Sequence, residues 1–122
     1  MPENGRVILV VDDDRAILSA VADALALEGY AVRTAANGRE ALKAVDEGAP
    51  SVILLDMRMP VLDGWGFARA LRERGVRSRI LVMTAAENAR RWADEIAADA
   101  YLAKPFELED LLTTVERLHR EQ

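Results

Sequence analysis

Three short stretches, RVILVV (6–11), SVILL (51–55) and RILVM (79–83), are almost unbroken runs of aliphatic residues. A strand with one buried face alternates apolar and polar side chains, whereas a strand apolar throughout is covered on both faces. Sheets covered on both faces are mostly parallel, because their helical crossovers lie across them. The intervals between the runs carry the helical crossovers this requires. Ile17, Leu18, Val21, Ala22 and Leu25 fall on one stripe of a helix, as do Leu108, Leu111, Leu112, Val115 and Leu118. The pattern predicts strands at Arg6–Val11, Ala31–Ala35, Ser51–Leu55, Arg79–Thr84 and Ala100–Ala103. It predicts helices at Arg15–Glu28, Arg39–Glu47, Gly64–Arg74, Asn88–Ala97 and Leu108–Arg120. Gly29, Gly48 and Gly75 stand where the first three helices should stop.

The second and fifth strands, AVRTA and AYLAK, are shorter and more mixed, which suits the edges of a sheet. With right-handed crossovers the simplest arrangement is then a five-stranded parallel sheet of order 2-1-3-4-5 with five helices. Open α/β sheets bind ligands beyond the carboxyl ends of the strands where the winding reverses. Here that point lies between strands 1 and 3. Strand 1 runs straight into Asp12, Asp13 and Asp14, and strand 3 into Asp56.

So many acids need an explanation. Two carboxylates about 4 Å apart repel by roughly 4 kcal/mol at an effective dielectric near 20. Either they point apart into water or something positive sits among them. Thr84, in LVMTAA, ends strand 4 at the same edge, and Lys104, in YLAKPF, ends strand 5. Of the 16 cationic side chains only two, Lys43 and Lys104, are lysines, so a lysine at this edge is informative. Oxygen donors without histidine or cysteine suit a hard cation, Mg²⁺ foremost, bound through a few carboxylates and a phosphate. An aspartate beside such a cation can attack a phosphoryl group and become an acyl phosphate. The ammonium and hydroxyl would then steady the charge of the transferred group.

The motifs VILVVDD, LLDMRMPVLDG, VMTA and YLAKPF, in this order and spacing, resemble the receiver domains of two-component response regulators, including the chemotaxis regulators, over essentially the whole chain. The resemblance implies a single flavodoxin-like, doubly wound domain over residues 1–122, with a core of about 6–120. It implies that Asp56 is the phosphoacceptor, and that Asp12, Asp13, Asp56 and the backbone carbonyl of Arg58 hold Mg²⁺. Thr84 matches the hydroxyl that moves toward the phosphoryl group, and Lys104 the lysine that pairs with that group, its bond to Pro105 usually being cis in the family. Tyr101 matches an aromatic that turns inward when Thr84 moves. A sensor histidine kinase or phosphotransfer protein would supply the phosphoryl group, which slow self-hydrolysis removes. The face made by the fourth helix, the fifth strand and the fifth helix would carry the signal to a downstream protein or output domain, and could form a homodimer.

Several residues of the same types read more simply. Asp14, directly before the first helix, reads as its N-cap, and Asp63-Gly64 as the turn and cap of the third. His119 reads as a solvated residue. Trp92 and Ile96 are the main apolar anchors of the fourth helix, which is expected to be loosely held. Four positions are set against the family pattern. Ala97 stands where glycine is common, Gly66 should weaken the third helix by up to about 1 kcal/mol, and Arg58 and Ala86 occupy positions that tune phosphoryl lifetime.

Composition removes other classes. A net charge of −5 with cations scattered among acids argues against nucleic-acid binding. No apolar run approaches the ~18 residues of a membrane span, and MPENGR has no signal-peptide core. Without cysteine there are no disulfides or thiolate metal sites, and the cytoplasm is the expected location. An aspartate phosphatase of the haloacid dehalogenase type needs a second aspartate two residues after the nucleophile, where Arg58 stands. A flavin or nucleotide carrier needs a glycine- or hydroxyl-rich loop after strand 1, where DDDRAIL has the opposite charge. A pseudo-receiver that acts only as a protein-interaction module is the remaining alternative. The chain reads as a signalling switch and not an enzyme, either stand-alone or separated from an output domain.

Overall fold

In the computed structural model of the protein, which describes residues 7–121, five strands form one sheet with a core on each face. The five strands are β1 (Val7–Val11), β2 (Ala31–Ala35), β3 (Val52–Asp56), β4 (Arg79–Ala85) and β5 (Ala100–Lys104), all parallel, in the order β2-β1-β3-β4-β5. Five helices alternate with them: α1 (Arg15–Leu27), α2 (Gly38–Asp46), α3 (Gly64–Glu73), α4 (Ala89–Glu95) and α5 (Leu108–Arg120). Sheet order, strand direction and element count are as the sequence predicts. Arg6, predicted to open the first strand, lies outside the described residues.

The continuous apolar runs are explained by where successive side chains go. Ile8, Val10, Val52, Leu54, Leu81 and Met83 pack on one face against Leu18, Val21 and Leu25 of α1 and Leu111, Val115 and Leu118 of α5. Their neighbours Leu9, Val11, Ile53, Leu55 and Val82 pack on the other, against Ala41 and Val45 of α2, Phe67 and Leu71 of α3, and Trp92 of α4. Two cores therefore share one sheet. A polar residue in the middle of β1 or β3 would face one of them, with no solvated side available.

The element ends differ from expectation in ways that matter at the site. β3 extends through Asp56, β4 through Ala85 and β5 through Lys104, so three of the expected functional residues sit on, or one residue inside, the last rung of the sheet. The helices stop a residue or more before their predicted ends, except α5. Gly29 and Gly75, two residues beyond α1 and α3, adopt φ of 96° and 69° and turn the chain. At the end of α4 Ala97 takes the same left-handed conformation, with φ of 54°. The departure from glycine therefore leaves the backbone path unchanged at a cost of roughly 1–2 kcal/mol. Gly66 has a packing reason: a Cβ there would lie 2.6 Å from Leu62 Cδ1. Among the described residues no helix is long and apolar enough to cross a membrane.

α4 is the shortest helix, seven residues without a side-chain cap at its N-terminus. Contacts from α3 hold it. Arg72 Nη2 donates to Ile96 O at 2.7 Å, and the Trp65 ring meets Trp92 edge-on with centroids 5.0 Å apart.

Candidate phosphoryl-acceptor and metal site

At the carboxyl ends of β1 and β3 the three consecutive aspartates separate. Asp12 carries the pleat of β1 inward and is fully buried. Its Oδ1 accepts from the Asp14 N–H at 2.9 Å, and its Oδ2 receives the Lys104 ammonium at 2.8 Å. Asp13 is exposed at the rim. Asp14 turns away and caps α1, accepting from the N–H groups of Ala16 at 3.0 Å and Ile17 at 3.2 Å. Both resolutions of the charge problem are thus in use: one acid leaves for a helix end, and a cation reaches the buried one.

Asp56 lies at the end of β3, 7% exposed, with Oδ2 3.8 Å from Lys104 Nζ. Burial pushes its carboxyl up to about 6, and the neighbouring negative charges of Asp12 and then Asp13 act in the same direction. The Lys104 ammonium and the Arg58 backbone N–H pull it back only in part. Lys104 is spent mainly on Asp12, a full ångström closer, so Asp56 keeps an unmet demand for positive charge.

That demand fits a metal. One carboxylate oxygen from each of Asp12, Asp13 and Asp56 lies within 4.8 Å of the others. The set is all oxygen, anionic and open on the Asp13 side, as a hard divalent cation that keeps part of its water shell requires. The carbonyl of Arg58, two residues beyond Asp56, belongs to the loop that begins here.

The other expected residues gather at the same edge. Thr84, 5% exposed, pairs in register with Ala103, and Ala85 with Lys104. The peptide bond from Lys104 to Pro105 is cis. Tyr101 on the edge strand β5 is 45% exposed. Asp63 caps α3, its Oδ1 accepting from the Gly66 N–H at 2.9 Å. His119 departs from expectation. It is half-buried, with Nδ1 3.2 Å from Ser51 Oγ and its ring edge-on to Tyr30. The ring closes the amino-terminal end of the sheet, far from the acids, because the last turn of α5 packs across β3.

Sequence reasoning values Arg58 for its carbonyl and for a position that tunes phosphoryl lifetime, and misses the partner of its side chain. The guanidinium lies 5.1 Å from the centroid of the Trp92 ring on α4. Trp65 Nε1 in turn donates to Glu95 Oε1 at 2.8 Å. The one available signal is that the chain has only two tryptophans, Trp65 and Trp92, one in each of the helices that follow the third and fourth strands.

Comparison with known proteins agrees with this geometry. The family model described as "Response regulator receiver domain" matches residues 8–116. A response regulator MprA of Mycolicibacterium vanbaalenii is 44% identical over 115 residues, 93% of this chain and 50% of that protein. The chain spans about half the length of the curated relatives it matches. Among solved structures, the chemotaxis response regulator CheY4 of Vibrio cholerae superposes with a TM-score of 0.83 at 36% identity, covering 92% of this chain and 97% of that one. The response regulator TrrA of Thermotoga maritima, solved in complex with Mg²⁺-BeF, gives 0.82 at 35% identity, covering 93% and 98%.

Proposed function

Because this chain belongs to the response regulator receiver domain family, we propose that it is a phosphoryl-accepting switch whose acceptor is Asp56. One observation carries the reading. Asp56 is nearly buried among Asp12, Asp13 and Lys104, with more negative charge around it than the lysine offsets.

Asp12, Asp13 and Asp56, with the Arg58 carbonyl, are the residues that would hold Mg²⁺, which when bound neutralises charge on the incoming phosphoryl oxygens. The complex of TrrA with Mg²⁺-BeF supports that assignment by similarity. An Asp56 carboxylate oxygen attacks the phosphorus of a phosphohistidine. The new O–P bond forms as the P–N bond breaks, and the imidazole leaves with that electron pair. Burial of Asp56 makes its oxyanion poorly solvated, so charge that moves onto the phosphoryl group is relieved at the carboxylate. Lys104, already anchored by Asp12, is placed to turn its remaining N–H groups toward the phosphoryl oxygens. Thr84 supplies a hydroxyl from the adjoining strand, and Tyr101 has room to follow it inward. Water later cleaves the same O–P bond and resets the switch.

The donor is a sensor histidine kinase or phosphotransfer protein in the cytoplasm. The recipient of the signal is a downstream protein or an output domain, contacted through α4, β5 and α5, a face that also suits a second copy of the domain. The domain is read as residues 1–122.

Intact mass after incubation with acetyl phosphate, with and without Mg²⁺, tests the acceptor. The expected result is one phosphoryl adduct that needs Mg²⁺ and is absent from Asp56→Asn. If neither an adduct nor beryllium fluoride binding is found, the switch reading falls and a pseudo-receiver acting as an interaction module replaces it.

A further inference from the structure

Arg58 is the residue that touches both the acceptor and the helix expected to move. Its backbone N–H faces the Asp56 carboxylate, and its guanidinium lies over Trp92. Among the described residues no carboxylate is within ion-pair distance of that guanidinium, although an acidic cluster begins two residues away. The side chain is exposed and free to turn, whereas Trp92 is 5% exposed and fixed on α4. Trp92 is also the main aromatic anchor of a helix that has no side-chain N-cap, so a change at its ring is a change in what holds α4.

Resting on the receiver reading above, we propose that the Arg58 side chain couples Asp56 to α4: it braces Trp92 while Asp56 is free, and is drawn off the indole when phosphoryl charge builds on Asp56. A phosphoryl group brings nearly two negative charges and three acceptor oxygens to a site two residues from the guanidinium. Arginine's planar fork of donors matches such oxygens better than it matches an indole face. The exposed cation–π contact is the weaker partner and gives way. This link is separate from any movement of Thr84 and Tyr101, because it runs along the β3–α3 loop and reaches α4 from the side of α3.

The test uses the Trp65→Phe protein, in which Trp92 is the only indole and keeps a ring edge against it. Mg²⁺ and beryllium fluoride are added while bound fluoride is followed by ¹⁹F NMR, Trp92 emission is recorded, and hydrogen exchange is measured over α4. The expected result with Arg58 present is a change in Trp92 emission and about two- to five-fold faster exchange of α4 amides, the size an exposed cation–π contact warrants. Arg58→Met in the same background should start at the shifted emission and fast exchange and show no further response. Arg58→Lys, whose ammonium can also sit over the ring, should keep a reduced one. If fluoride binds and Trp92 does not respond, or Arg58→Met responds as fully as its parent, the coupling is wrong and α4 is reached by another route. Because the guanidinium is drawn to the same oxygens, Arg58→Met should also bind beryllium fluoride more weakly than its parent, and equal affinity would overturn the coupling. No bound fluoride in any protein would instead remove the receiver reading on which it rests.

Discussion

Lys104 Nζ sits 2.8 Å from Asp12 Oδ2 and 3.8 Å from Asp56 Oδ2, so the lysine at the end of β5 is first the counterion of a buried aspartate and only second a neighbour of the proposed acceptor. The order of those distances sets what each charge does. Asp12 is fully buried and cannot turn to water, so its charge is tolerable only while the ammonium stays. Lys104 is in turn fixed beside Asp56, so in the proposed transfer it would not have to be ordered at the moment of reaction.

Lys104→Met should therefore destabilise the protein by about 2–4 kcal/mol, through the uncompensated Asp12 carboxylate and not through lost packing. Urea unfolding of the single variant and of Asp12→Asn/Lys104→Met measures this. The double variant should recover at least half of the loss. Equal losses in both would mean that the lysine stem, and not its charge, matters.

Asp56 carries a stability cost with a definite pH window. Its carboxyl titrates near 6 in the folded protein against 3.8 in the unfolded chain. Between those values the folded state binds the extra proton, so stability falls as pH rises from about 4 to about 6 and the cost is complete above it. Asp56→Asn should remove that cost, raising stability by about 1–3 kcal/mol at pH 8 and by progressively less toward pH 4. Thermal unfolding across that range checks it; a gain independent of pH would show that Asp56 is not strained by its charge.

Asp14 separates from its two neighbours by function. Asp14→Ala should cost about 1 kcal/mol by removing the two bonds that cap α1, and Asp14→Ser should restore most of it. Neither should change Mg²⁺ affinity measured by calorimetry, whereas Asp13→Ala should weaken it at least tenfold. A large metal effect at Asp14 would contradict the separation of the three acids.

Two exposed non-glycine residues hold left-handed backbone, Ala97 with φ of 54° and Val61 with φ of 73°. Glycine adopts this conformation without the Cβ clash. Ala97→Gly and Val61→Gly should each stabilise the protein by about 0.5–1 kcal/mol, net of the freedom glycine adds to the unfolded chain. Val61 is the sharper case, since its side chain is 71% exposed and gives up little packing. Chemical denaturation would expose the error if either variant were less stable.

Most of the architecture was written locally. Unbroken apolar runs read as strands with two covered faces and mixed runs as edges, and with right-handed crossovers the simplest order is β2-β1-β3-β4-β5, which brings Asp12, Asp13, Asp56, Thr84 and Lys104 to one rim. The capping roles of Asp14 and Asp63 were legible for the same reason, since a cap needs only its own next three residues. What folding alone decided is how like residues divide their work. Asp12 and Asp13 look equivalent in sequence, and only the inward pleat of β1 makes Asp12 the buried one. That Lys104 chooses Asp12 over Asp56, that Arg58 lies over Trp92, and that His119 tucks against Ser51 all depend on distances between elements remote in the chain. Those distances are set by how α3, α4 and α5 pack on the sheet, which no local pattern encodes.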